Sequence, residues 1–193
     1  MHEFDKLVFH WINGWSDAWR GFYVFFSEGI KTTPVRAVLA VFVLAMLAGG
    51  AKTQRAIVHA LIAWPIANGC TDVLKNVFKL QRPCVDLWPD VIMRVDRLTS
   101  FGTASAHSAN MAAIATVMVW RLGWWGSPWI LIAFVTGLAR IYVGVHYPSQ
   151  VLNGWIVGVL VGAVVVKTWD AIVLRRSAVR MDSEAEPDAS PEL

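Results

Sequence analysis

Apolar residues fill this chain in long blocks separated by short polar junctions, and the blocks set the expected fold. Thr33-Pro34 reads as a helix start, because proline is tolerated in the first turn, and the apolar run from Val35 to Ala48 closes at Gly49-Gly50. A second block extends from Ala56 to about Phe78, with a kink expected at Trp64-Pro65 and polar residues (Asn68, Thr71, Asp72, Lys75, Asn76) gathering towards its end. Residues 80–103 form a polar connection. The third block runs from Ala104 to Trp120, the fourth from Trp129 to about Val145, and the fifth from Val151 to about Val166. Helices of this length match a hydrocarbon core about 30 Å thick, and the short junctions require antiparallel neighbours.

The N-terminus has a different pattern. Over residues 4–22, Phe4, Leu7, Val8, Trp11, Trp15, Ala18, Trp19 and Phe22 fall on one helical stripe. Such a helix either lies in the headgroup layer or packs on the bundle, and the two placements are compatible. Residues 21–30 are apolar but short and are interrupted by Glu28. The expected organisation is an amphipathic interfacial segment over 1–30, a membrane helical domain over 31–176 and a disordered cytoplasmic tail over 177–193. The fold class is all-α, a polytopic membrane bundle with five spans; a sixth near residues 10–30 is the alternative.

Composition agrees with a bilayer protein. Apolar residues make up 56% and charged residues 16% of the chain, and mean hydropathy is +0.49. The net charge of +3 is small, and its Lys and Arg are not concentrated on one face, which argues against nucleic-acid binding. Cys70 and Cys84 show no zinc-ligand spacing, so no metal is expected. Glu3 and Asp5 at the start argue against a cleavable signal peptide, leaving the first span as its own insertion signal. Lys52, Arg55, Arg121, Arg175, Arg176 and Arg180 fall on one side of the alternating spans and mark it as cytoplasmic. Lys79, Arg82, Arg94 and Arg97 lie opposite.

Three polar clusters distant in sequence return to that opposite face. Lys75 ends one span and Arg82 lies just beyond it. Ser105 and His107 open the next, where free backbone N–H groups and the helix dipole favour an anion. Arg140 and His146 close the fourth. A buried cation in hydrocarbon costs roughly 2.5–3.5 kcal/mol on insertion scales, so these charges need a partner. Fixed cations, a hydroxyl, a helix start and two imidazoles suit a tetrahedral phosphate.

These residues resemble the type 2 phosphatidic acid phosphatase superfamily, membrane lipid phosphatases that share their site with vanadium haloperoxidases. The first motif, Lys-x6-Arg-Pro, is matched by Lys75…Arg82-Pro83; Pro-Ser-Gly-His appears as Ala104-Ser105-Ala106-His107; Ser-Arg-x5-His-x3-Asp appears as Ala139-Arg140…His146…Gln150. The resemblance implies a reaction without cofactor or metal. His146 attacks phosphorus to give a phosphohistidine, and His107 protonates the leaving oxygen and later activates water. Lys75, Arg82 and Arg140, with Ser105 and the Ala106 N–H, hold the equatorial oxygens. Gln150 stands in place of the aspartate that orients the nucleophile, and Gln150→Asp is expected to raise the rate.

The implied activity is that of a lipid phosphate or diphosphate phosphohydrolase in the inner membrane, its site facing the exterior. Undecaprenyl diphosphate leads phosphatidylglycerophosphate, phosphatidic acid and a lipid A phosphate as substrate. The rivals are a non-catalytic lipid-phosphate binder or transporter and a lipid phosphotransferase. The expected partners are the lipid substrate and membrane lipids, with the oligomeric state open. Arg94 and Arg97 have no motif behind them and read as headgroup contacts; His59 reads as structural.

Overall fold

A computed structural model describes residues 2–185. The described residues form eight helices and no strand: α1 (His2–Asn13), α2 (Arg20–Glu28), α3 (Thr33–Ala48), α4 (Ala51–Phe78), α5 (Pro83–Asp86), α6 (Ala106–Leu122), α7 (Pro128–Tyr142) and α8 (Pro148–Ala185), joined in places by short 3-10 turns. The five apolar blocks correspond to α3, α4, α6, α7 and α8. Cys70 and Cys84 are both free thiols.

By length and composition, two stretches are long and apolar enough to cross a membrane, Ala51–Asp86 and Pro148–Met181. The pair Asp17–Lys31 and Thr33–Ala48, bent by 69° at its break, makes a third only if counted as one span. The predicted fifth block is far longer than expected: α8 continues to Ala185, so residues 177–185 are helical where a disordered tail is expected. The remaining tail positions lie outside the described residues.

The helix α6 sits at the centre, against α4, α7 and α8. Its approach to α4 is lined by small residues: Ala56, Ala60, Ala63 and Ala67 meet Ala109, Ala113 and Val117. Against α8 the approach is closer still, since a Cβ on Gly158 would lie 2.2 Å from the Ala109 carbonyl oxygen. Apolar tails offer no hydrophobic drive between helices, so such close backbone contact supplies the packing. It holds the start of α6 against the start of α8, where the polar clusters meet.

The N-terminal stripe does not persist as one helix. It breaks after Asn13, and Ser16 caps a new turn by accepting from the Ala18 N–H at 3.2 Å. The face of α1 that turns inward carries Phe9, Ile12 and Asn13, while Phe4, Leu7 and Trp11 stay exposed. The Asn13 amide donates to the Ile92 and Tyr142 carbonyls at 2.9 Å each and accepts from the Ile92 N–H at 3.0 Å. Arg94 departs from its expected headgroup role. Its guanidinium is buried, donates to Asp17 at 2.8 Å and to the Asn13, Tyr142 and Trp15 carbonyls, and lies 4.0 Å over the Tyr142 ring. It ties the N-terminal segment to the end of α7. The segment is therefore part of the bundle, with an apolar outer face left over.

Candidate active site

His146 stands in the turn between α7 and α8, 2% exposed. Its N–H and that of Val145 both donate to the Arg140 carbonyl at 3.2 Å, which seats the turn on the last residues of α7. On the other side, Asp5 of α1 caps α8 by accepting from the Ser149 N–H at 2.9 Å and from the Ser149 hydroxyl. Such a cap stabilises a helix start by about 1 kcal/mol. Here it also fixes the chain three residues from His146.

The hydrogen-bond network assigns the tautomer of that imidazole. A guanidinium only donates, so Arg82 Nη1, 2.7 Å from His146 Nε2, makes Nε2 an acceptor. The proton then sits on Nδ1, which donates to Gln150 Oε1 at 3.0 Å. The Tyr147 N–H donates to the same oxygen at 3.2 Å, and Gln150 Nε2 donates to the Gln81 carbonyl at 2.7 Å. Every polar atom of the amide is used, and its orientation admits no flip. Burial first, then the positive charges of Arg82 and Arg140, hold the His146 pKa well below the ordinary value, against a smaller raising effect of the Gln150 bond. The imidazole is neutral, with its lone pair on Nε2.

Arg82 is 3% exposed, and all five of its N–H groups have acceptors. Nε donates to the Ser100 carbonyl at 2.6 Å, Nη2 to the Ser100 hydroxyl at 3.2 Å and the Phe101 carbonyl at 3.1 Å, and Nη1 to the Val145 carbonyl at 3.2 Å as well as to His146. The bonds to His146 and to the Ser100 hydroxyl can be exchanged for a ligand without stripping a backbone carbonyl, and of the two the first leaves the imidazole Nε2 free.

Gly102 makes this fit possible. A Cβ there would lie 2.6 Å from Arg82 Cγ and 2.7 Å from Gln150 Oε1. Gly102→Ala is expected to push Gln150 off the imidazole and lower turnover by about a hundredfold, the usual cost of an ångström of misplacement. Steady-state kinetics on the purified variant, with its melting temperature as a control, checks this.

At the start of α6, Ser105 is buried and caps the helix, its hydroxyl accepting from the Ser108 N–H at 3.4 Å. The Ser105 N–H donates to the Gln150 carbonyl at 2.9 Å. With Ser108 capped, the Ala106 and His107 N–H groups are left as the free donors of the first turn. The His107 ring is half-buried and has no hydrogen bond among the described residues. It lies within electrostatic range of Arg140 and Lys75, and His146 lies within range of both Arg140 and His107. All the sequence-predicted residues thus come to one end of the bundle. Lys75 is engaged by Asp72 at 2.9 Å, one turn away on α4.

Arg140 is 2% exposed and meets groups that the sequence motifs do not contain. Its Nη1 donates to the Ser27 hydroxyl at 2.5 Å, the Ser27 carbonyl at 3.3 Å and Glu28 Oε1 at 2.8 Å. Lys31 pairs with the other Glu28 oxygen. The only sequence signal for this wall was an acidic residue interrupting an apolar run. At the far end of the bundle a separate network joins Arg121 to His59 Nδ1 at 3.0 Å and to Asp170 at 2.8 Å, giving His59 a structural partner.

The chain is similar to known proteins in sequence and in fold. The sequence is 26% identical over 156 residues to the bacitracin transport permease protein BcrC of Bacillus licheniformis, covering 75% of each chain. It is 33% identical over 100 residues to a decaprenylphosphoryl-5-phosphoribose phosphatase of Mycobacterium tuberculosis, covering 52% of this chain and about half (54%) of that relative. The fold superposes on the crystal structure of Aquifex aeolicus LpxE with a TM-score of 0.69 at 25% identity, covering 83% of this chain and 93% of that one. The sequence model of the PAP2 superfamily matches residues 55–173, a stretch that holds Lys75, Arg82, Ser105, His107, Arg140, His146 and Gln150, and this chain belongs to that superfamily.

Proposed function

We propose that the protein is a membrane lipid phosphatase that cleaves a phosphate or diphosphate ester through a phosphohistidine on His146. The observation that carries this reading is the imidazole itself: neutral, oriented by Gln150, and presenting Nε2 towards a cluster of cations. A nucleophile needs that lone pair, and its tautomer is set before substrate arrives.

In the reaction, substrate phosphate takes the N–H that Arg82 gives to Nε2 at rest, which frees the lone pair for in-line attack. The bond from phosphorus to the bridging oxygen breaks as the P–N bond forms, and His107 gives its proton to that oxygen, which leaves on the lipid alcohol of a monoester or on the lipid monophosphate of a diphosphate. Neutral His107 then takes a proton from water, whose oxygen attacks phosphorus, breaks the P–N bond and releases inorganic phosphate. Lys75, Arg140, the Ser105 hydroxyl and the Ala106 N–H bind the three equatorial oxygens, so charge stabilisation rests on fixed protein groups and no metal is required.

The substrate class follows from where the site lies and from its relatives. The site is at one end of a bundle whose outer surface carries exposed Val38, Val41, Leu44, Leu131 and Val159, so a lipid chain can stay in the bilayer while its head reaches the cations. One relative is named for a decaprenyl-linked phosphate, which favours a polyprenyl head such as undecaprenyl diphosphate. Helices α3, α4, α6, α7 and α8 would each cross the bilayer, and the basic residues at the far end favour an exterior face for the site. Another relative is named as a transport permease, so lipid-phosphate transport is the second reading.

Phosphate release from undecaprenyl diphosphate, from phosphatidic acid and from phosphatidylglycerophosphate, measured in detergent with EDTA, tests these assignments. Release from none of them would leave the transport reading.

The depressed His146 pKa has a direct consequence. An ordinary histidine, with a pKa near 6.5, is mostly protonated at about pH 6, whereas a group whose folded pKa is lowered stays neutral there and loses the lone pair only as pH falls further. In ¹⁵N-imidazole NMR His146 should remain the Nδ1–H tautomer through mildly acidic pH. Protonation of His146 at the ordinary value would contradict the burial and cationic surroundings described above.

A further inference from the structure

The grip on Arg140 involves only one of its edges. Nη1 is held by Ser27 and Glu28, whereas Nε is buried and has no hydrogen-bond partner. Nη2 likewise makes no hydrogen bond among the described residues. In a planar guanidinium the Nε and Nη2 hydrogens form the side-on pair that meets two oxygens of one anion. A buried donor without a partner in a protein interior points to a ligand.

The charges around the clamp are consistent with that use. Glu28 alone would cancel Arg140, but Lys31 pairs with its second oxygen, so the three groups keep a net positive charge. The Ser27 hydroxyl donates to Glu28 Oε1 at 3.1 Å while accepting from Arg140. Both residues come from the end of α2, ahead of residues 55–173 that match the superfamily.

We propose that Glu28 and Ser27 are positioning residues, which clamp one end of the Arg140 guanidinium so that its Nε–Nη2 edge faces the phosphate, and that the N-terminal segment thereby completes the site. This rests on the phosphatase reading. The clamp sets how well the site binds a phosphate, independently of whether the chain stays folded.

The test is the affinity of the full-length protein in detergent for inorganic phosphate, by calorimetry and by competitive inhibition, beside KM and kcat for a short-chain lipid phosphate. Glu28→Ala should weaken phosphate binding and raise KM by about tenfold, the loss of one well-placed charge-assisted contact. Glu28→Gln keeps the Oε1 acceptor and should stay within about threefold of the parent, which a demand for charge alone would not produce. Ser27→Ala removes the second half of the clamp and should weaken binding in the same direction; it serves if Glu28→Ala does not fold. Unchanged phosphate affinity in Glu28→Ala and Ser27→Ala overturns the proposal. Tighter binding would overturn it too, showing Glu28 to be a competitor for Arg140, as would a Gln variant as damaged as the Ala one. Failure of the parent protein to bind or release phosphate would instead strike the phosphatase reading.

Discussion

Replacing His146 by alanine is expected to reduce phosphate release by about 10⁴-fold or more, the range seen when a nucleophile or its base is removed from a hydrolase. The imidazole Nε2 is the atom that Arg82 covers at 2.7 Å, and the Arg82 guanidinium cannot itself attack. Rapid quench into alkaline detergent with a substrate labelled in the transferred phosphate should show an acid-labile, base-stable phosphoenzyme in the parent protein and none in His146→Ala. A His107→Ala variant should still form the phosphoenzyme from a substrate with a good leaving group but turn it over slowly, since general acid–base help is worth about 10²–10⁴-fold. Full turnover in His146→Ala would remove the mechanism proposed here.

The second large effect is expected at Gln150. Gln150→Leu leaves Nδ1 and the Tyr147 N–H without their acceptor and frees the ring to change tautomer. In serine hydrolases the wrong tautomer costs about 10⁴-fold, and a loss of about 10³-fold in kcat is expected for this variant, with the ¹⁵N tautomer signature of His146 lost alongside. The same geometry revises the expectation from the motif that Gln150→Asp raises the rate. Gln150 uses both ends of its amide, accepting from His146 and Tyr147 and donating to the Gln81 carbonyl at 2.7 Å. Aspartate is one methylene shorter and has no donor for Gln81, so it would withdraw from the imidazole and leave a carbonyl facing a carboxylate. Gln150→Asp should therefore lower activity, despite restoring the charge the motif carries. Kinetics of the two variants side by side measures this, and an Asp variant faster than the parent would show that charge outweighs fit.

The apolar face that remains on α1 has a physical reading within the same picture. Phe4, Leu7 and Trp11 are exposed while Phe9, Ile12 and Asn13 turn inward, and Asp5 caps α8 beside the nucleophile. Aromatic groups turned outward on such a helix would suit a headgroup layer. The same helix helps to hold the His146 turn, so its anchoring and the geometry of the site are mechanically connected.

Much of this protein is legible from the chain alone. Hydropathy blocks located α3, α4, α6 and α7 to within a few residues, because in a bilayer every backbone polar group must be satisfied within its own helix and long apolar runs have few alternatives. Three spaced motifs marked Lys75, Arg82, Ser105, His107, Arg140, His146 and Gln150, because a phosphate site needs cations and imidazoles that hydrocarbon otherwise excludes. Tertiary structure alone decided the rest. The break after Asn13, the burial of Arg94, the use of all five Arg82 N–H groups and the clamp of Ser27 and Glu28 on Arg140 depend on which groups meet across intervening chain, from 18 residues between Arg82 and Ser100 to 129 between Asn13 and Tyr142, or at a backbone approach that only Gly102 permits. A linear pattern records which residues are polar; which donor finds which acceptor is settled only when the helices pack.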